Sequence, residues 1–315
     1  MDTNSGAVNA IYAAGDGGAR GVAALSAEAY GGAAPESPES FGRRGSLEVR
    51  LATTPQEIDA AQALRYRVFY EEMSATPDAA TRASRRDIDR FDDFCDHLLV
   101  IDHALAGADA GTAQEGSGRP MPSKVAPEAV IGCYRLLRQE VAEAHGGFYT
   151  AGEFDIGPML RRAGPQLKFL ELGRSCVLAP YRTRPTVELL WHGIMHYVAK
   201  YNLDVMFGCA SFEGIDPGAI AMPLAYLHHF HGGPADWHVR ALPERYVEMN
   251  RIAKDAINLR DALRSLPPVI KGYIRAGCYI GDGAVIDEQF GTIDVLILFP
   301  ITQINARYRS KFSKS

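Results

Sequence analysis

Apolar and polar residues begin to alternate at Leu47, where Leu47, Val49 and Leu51 are separated by Glu48 and Arg50. That is the period of a strand with one buried face. Thr54 then stands where a helix N-cap belongs, and Glu57, three residues on, predicts a capping box. Ile58, Ala61, Leu64, Val68 and Phe69 follow at helical spacing. Two apolar runs, 97–101 and 129–137, predict a hairpin around an enlarged loop from about 104 to 127 that is rich in Gly, Ala and Ser. Residues 168–178 predict a strand, Ala179-Pro180 a turn, and 185–201 a long helix carrying Val187, Leu190, Trp191, Ile194 and Val198. Buried strands are predicted at 205–210 and 292–299, with short helices and strands between them.

The first 45 residues or so are rich in Gly, Ala, Ser and Pro and keep no period, which predicts a disordered leader. Residues 306–315 form a basic tail with two aromatics. Between them, 46–305 read as one domain of α/β or α+β class, with no internal repeat.

Composition narrows the function. The chain has 315 residues, 47% of them hydrophobic, enough for a substantial core. A formal net charge of -5 argues against a broad nucleic-acid-binding surface. No apolar run approaches the ~20 residues that span a bilayer; the stretch 293–301 is interrupted by Asp294 and Pro300 and reads as a buried strand. No basic segment leads into an apolar stretch at the N-terminus, so no secretory signal is expected. The five cysteines are odd in number and form no C-x-x-C pair, which argues against a disulfide framework and a zinc ribbon. A cytoplasmic location is the expectation. His228, His229 and His231 lack metal-ligand spacing. His192 and His196 have it, but no glutamate follows His192, so no metal site is expected.

Arg182 and Arg184 lie in the turn that opens the long helix. A helix N-terminus offers free N–H groups and partial positive charge, a place for a phosphate. This strand, turn and helix resembles the phosphopantetheine-cradling loop of the GNAT acyltransferase superfamily. Arg182 fits its first position, whereas Pro185 and Val187 replace its small residues, leaving room for the single phosphodiester of a carrier-protein arm. Four further elements occur in the order seen in acyl-homoserine-lactone synthases: Arg65 to Phe69, Asp89 to Asp92, Gly132 to Arg135, and Glu171 to Arg174. The tryptophan usual in those synthases does not occur between Phe69 and Asp89. The chain is more closely similar to the ornithine lipid synthases, ornithine N-acyltransferases that use acyl carrier protein. The similarity runs over nearly all of 47–305, through the segments 64–73, 91–100, 171–181, 207–212 and 271–283.

That resemblance implies a GNAT-like α/β fold, a central twisted mixed sheet with helices on both faces. It implies transfer of a 3-hydroxyacyl group from acyl carrier protein to the α-amine of L-ornithine, with no cofactor beyond the carrier's phosphopantetheine arm. Acyl transfer to an amine needs a base, a donor to the thioester carbonyl and an aligned acceptor. Glu171 is the expected base. A regular strand would put Glu171 and Arg174 on opposite faces, and a bulge at Gly173 would bring them together. Asp89 and Asp92 suit an acceptor's ammonium, and Arg65 and Arg135 its carboxylate, although Arg65 could equally hold the aspartates. Ser211 could donate to the pantetheine arm or the leaving thiolate, and Arg182 and Arg184 would meet the carrier protein. The tail has three readings: contact with an anionic membrane face, contact with the carrier protein, or an ordinary solvated terminus. Rival functions are an acyl-homoserine-lactone synthase, an N-acyltransferase for another amino acid, and a non-catalytic acyl- or membrane-binding protein.

Overall fold

The computed structural model describes residues 38–73, 75–106, 126–163 and 166–303. Most of the expected leader, most of the enlarged loop and the basic tail lie outside these residues. Ten strands form one sheet: β1 (Ser40–Arg44), β2 (Leu47–Leu51), β3 (Asp96–Asp102), β4 (Val130–Arg138), β5 (Phe154–Asp155), β6 (Phe169–Val177), β7 (Val205–Glu213), β8 (Arg240–Ala241), β9 (Tyr279–Asp287) and β10 (Thr292–Pro300). Their spatial order is β1-β2-β3-β4-β6-β7-β10-β9-β8-β5. Neighbours run antiparallel except β6 with β7 and β8 with β9, so the sheet is mixed.

Helices cover both faces. Val49 points to the helix Arg184–Tyr201, where a Cβ on Gly193 would stand 2.6 Å from the Val49 side chain. The absence of a side chain at Gly193 lets helix and sheet approach closely. Arg50, the next residue, points the other way and bonds Glu57 of the helix Pro55–Tyr66. The core gathers where the alternation disappears: every residue of β10 and all but the last of β7 are buried, as strands covered on both faces require.

Three expectations change. The stretch assigned to the leader ends in β1, which pairs with β2 and buries Phe41. β2 is not half-polar: Glu48 and Arg50 are buried, Glu48 with Arg43 and His103, Arg50 with Glu57. Thr54 does cap its helix, accepting from Glu57 N at 3.3 Å. The Glu57 carboxylate, however, turns to Arg50 and to Thr53 N at 2.7 Å, because a buried guanidinium is a stronger partner than the cap's own N–H.

Candidate active site

β6 pairs with β4 on one side and with β7 on the other, and each pairing is interrupted. Against β4 the register slips between Cys133 and Arg135, so that Gly173 faces Arg135 while Cys176 faces Cys133. The extra residue is absorbed at Arg174, whose φ is +51°, a left-handed conformation uncommon for a residue with a Cβ. Against β7 the parallel ladder covers only Phe169 to Glu171 with Val205 to Phe207. Beyond that point the β6 edge facing β7 carries no ladder, so the two strands open from a vertex at Leu172 and Gly208.

A cleft of about 340 Å³ lies at this opening, lined by Glu171, Gly173, Arg174, Arg135, Tyr149 and Cys209 among others. The bulge therefore brings Glu171 and Arg174 to one cavity. A second cleft of about 240 Å³ is lined by Leu172, Trp191, Gly208, Tyr273 and Phe299. Leu172, at the vertex, lines both. The first sets charged side chains, Glu171, Arg135 and Arg174, among apolar ones; the second is almost wholly apolar.

Glu171 is 5% exposed. Its carboxylate accepts from Tyr149 N at 2.9 Å and Thr150 N at 2.6 Å. Burial raises its pKa above the ordinary glutamate value, and the Thr150 and Tyr149 bonds and the Arg135 charge only partly offset this. A carboxylate of raised pKa beside a cavity is a better proton acceptor than an exposed one.

Beside it stands a network of three arginines and three aspartates whose formal charges cancel. Arg65 donates to Asp87 at 2.8 Å and grips Asp92 with two bonds of 2.9 and 2.7 Å. Arg135 donates to Asp89 at 2.6 Å and Asp92 at 3.3 Å. Arg174 donates to Asp87 at 3.1 Å and Asp89 at 3.0 Å. Asp89 and Asp92 also cap the short helix Arg90–Asp93, with Phe91 N donating to Asp89 at 2.8 Å and Asp89 N to Asp92 at 3.0 Å. Burial alone would raise the Asp92 pKa, but Arg65 and Arg135 outweigh it and hold the carboxyl well below its usual range. Asp89 is lowered in the same way by Arg135 and Arg174.

This arrangement corrects two assignments. Arg65 is 1% exposed and fully engaged with aspartates, so it holds the network and does not receive an acceptor's carboxylate. Asp89 and Asp92 have arginine partners already, so they are not carboxylates waiting for an ammonium. Arg135 and Arg174 are the members that reach the cavity. Phe69 is fully buried, edge-on to Phe290 at 5.7 Å.

Arg182 donates to Val177 O at 2.9 Å and pairs with Glu72, closing the turn after β6. Arg184 is largely exposed and pairs with Glu188 one turn on. Ser211 is buried on β7 opposite Asp294 of β10, outside both cleft linings. Of the histidines weighed in the sequence, His231 meets the Tyr226 hydroxyl at 3.0 Å, His229 the Ile252 carbonyl at 3.1 Å, His196 meets Glu39, and His228 lies 3.7 Å from Asp282. All five cysteines are buried free thiols.

Sequence reasoning missed Asp87, the Tyr149-Thr150 backbone that holds Glu171, and a buried group formed by Glu153, Asp287 and Asp294. One carboxylate oxygen from each lies within 4.8 Å of the others. The available signal was Asp294, an acid near the start of a strand that is otherwise almost wholly apolar.

An Acetyltransferase (GNAT) domain matches residues 64–192. The L-ornithine N(alpha)-acyltransferase of Brucella abortus (strain 2308) is 51% identical over 272 residues, 86% of this chain and 90% of the relative. That of Rhizobium meliloti (strain 1021) is 50% identical over 278 residues, covering 88% and 87%. The Rhodobacter capsulatus protein of the same name is 36% identical over 269 residues, covering 85% and 95%. A distant likeness to the solved structure of FeeM, an N-acyl amino acid synthase from uncultured soil microbes, has 11% identity and a TM-score of 0.42 over 84% of this chain and 94% of that one. On identity and coverage together, this chain belongs to the L-ornithine N(alpha)-acyltransferase family and carries its GNAT acyltransferase domain.

Proposed function

We propose that this protein transfers a fatty acyl group from the phosphopantetheine thioester of acyl carrier protein to the α-amine of L-ornithine, giving an N-acyl ornithine. The observation that carries the reading is the position of Glu171: a buried carboxylate of raised pKa on the wall of a cleft that opens where β6 leaves β7. An α-ammonium with a pKa near ~8 must lose its proton before it attacks, and Glu171 is placed to accept it. The free amine then adds to the thioester carbon. Unladdered N–H groups of β6 beyond the vertex are the donors available to the developing oxyanion. As the C–S bond breaks, the adduct's nitrogen gives up its second proton to the departing thiolate, and Glu171 returns the first to solvent. No acyl-enzyme is required.

The two clefts divide the substrates. The apolar one, walled by residues that include Trp191 and Tyr273, suits the arm and acyl chain, and the charged one suits an amino acid. Arg135 and Arg174 would orient the acceptor's carboxylate. Arg182 and Arg184, at the start of the long helix, would meet the acidic carrier protein. No helix among the described residues is long and apolar enough to cross a membrane; the amphipathic product and the basic tail together favour contact with an anionic membrane face.

The test is thiol release from 3-hydroxyacyl carrier protein with L-ornithine, L-lysine, glycine and S-adenosylmethionine offered in turn. Release with ornithine and an amide product support the proposal. Release only with S-adenosylmethionine would make the protein a lactone synthase, and binding of the acyl carrier protein without release would make it a non-catalytic binder.

A further inference from the structure

Glu153, Asp287 and Asp294 are 0%, 1% and 0% exposed. Three carboxylates in so small a buried volume repel one another and carry a desolvation cost, so they require cations or protons. The positive groups facing them are few. Arg245 reaches Glu153 at 3.4 Å from a partly exposed position, and Arg174 acts on Asp287 across the edge of the network. Thr292 donates to Asp294 at 3.0 Å, and the Cys209 thiol to Glu153 at 3.4 Å. One oxygen each of Asp287 and Asp294 is buried with no hydrogen-bond partner. Ser211, directly across from Asp294 in the β7–β10 register, is 2% exposed. Its hydroxyl is near enough to favour the Asp294 anion slightly but makes no hydrogen bond of normal geometry. Two carboxylate oxygens without partners and a loose hydroxyl in one buried cluster call for a donor-rich group.

The size and address of the cluster say which group. An ammonium has three N–H donors and no acceptor, and three acceptors at ~2.8 Å around a tetrahedral nitrogen stand about 4.6 Å apart. The carboxylate oxygens here lie within 4.8 Å of one another. Cys209 is common to both places: its thiol touches Glu153, and its side chain walls the cleft that holds Glu171 and Arg174. Extended ornithine separates its two nitrogens by about 6 Å, about one side-chain layer.

We infer that Glu153, Asp287 and Asp294, with Ser211, form the subsite for the side-chain ammonium of the amino-acid acceptor and set the enzyme's preference for a diamino acid. The inference rests on the ornithine-acylating reading above and assigns that substrate's terminal cation to carboxylates with fewer arginine bonds than Asp89 and Asp92 have.

The test compares L-ornithine with L-norvaline, the same carbon chain without the terminal amine, in wild type, Asp294→Asn and Glu153→Gln. A built polar site discriminates strongly against an analogue that leaves its groups unpaired. Wild type should favour ornithine by roughly a hundredfold or more in kcat/KM. Each variant should raise KM for ornithine about tenfold with little change in kcat, and the ornithine-to-norvaline preference should fall by at least that factor. Melting temperatures of both variants establish that they fold. An unchanged ornithine-to-norvaline ratio in a folded variant overturns the inference while the ornithine-acylating reading stands. Failure of wild type to acylate ornithine overturns both. A thermal shift from Mg²⁺ or Ca²⁺ alone, lost in Asp294→Asn, also overturns the inference and makes the cluster a divalent-cation site.

Discussion

Gly208 lies against the carbonyl of Leu172 so closely that a Cβ on it would stand 2.2 Å from that oxygen. The contact falls at the vertex where β6 and β7 part, one residue beyond their last ladder pair. Any side chain there must push two backbones apart, since a backbone oxygen cannot yield as a flexible side chain does. Gly208→Ala should therefore cost about 3 kcal/mol by overpacking and lower kcat/KM by widening the opening. A thermal melt and acyl-transfer kinetics on the same preparation check both; a variant that melts and turns over like wild type would show that the strands separate freely.

Glu171→Gln should lower kcat by about 10²–10⁴, the usual worth of a positioned base. The amide also places an NH₂ against one of two converging N–H donors, Tyr149 N or Thr150 N, so a small stability loss of about 1–3 kcal/mol accompanies it. The pH profile separates the two effects. Burial raises the Glu171 pKa above its ordinary 4.5, so wild-type kcat/KM should fall on the acid side at a pH above that value as the base is protonated. The variant's residual activity should lack that acid limb.

Much of this was legible in the chain. β3, β4, β6, β7 and β10 announce themselves as apolar runs, and the helix Arg184–Tyr201 by its period. β1 was hidden because Ser40–Arg44 offers one buried apolar residue, Phe41, in a Gly- and Ser-rich context. Its strand is defined by pairing with β2, not by its own pattern. The bulge at Gly173 was inferable from the odd spacing of Glu171 and Arg174. The arginine–aspartate partnerships were not, because Arg65 and Asp92 are 27 residues apart and Arg174 and Asp87 are 87 apart. Sequence spacing says nothing about which charges a fold brings together at such distances. An unpaired arginine and one buried between two aspartates look alike in one dimension.

Arg65→Met should destabilise the protein by about 3–5 kcal/mol, the cost of leaving buried carboxylates without their partner. Asp87 and Asp92 both lose their nearest cation. Arg65→Lys should recover part of the loss, since an ammonium restores charge without the two-pronged grip on Asp92. Denaturant melts rank the three proteins. A variant that unfolds normally but raises KM for ornithine would instead return Arg65 to the substrate.

His97 ties this network to pH. Its Nε2 lies 3.2 Å from the Asp92 carbonyl and 3.9 Å from the Asp92 carboxylate. Burial, reinforced by Arg65, pushes the imidazole pKa from 6.5 down to about 4, although Asp92 pulls the other way. The unfolded chain therefore binds a proton that the folded one refuses between those values. Stability from this group is complete above pH 6.5 and falls as the pH drops toward 4, by about 3 kcal/mol in all. Asp287 and Asp294 work in the opposite direction: burial raises their pKa values, so acidification through their folded pKa values favours the folded state. The readout is therefore the difference between wild type and His97→Gln, whose amide can donate to the Asp92 carbonyl at any pH. Unfolding free energies of the two, measured from pH 7 to pH 4, should diverge by that amount, with wild type losing more. Parallel curves would mean that His97 takes up its proton as readily in the folded protein as in the unfolded chain.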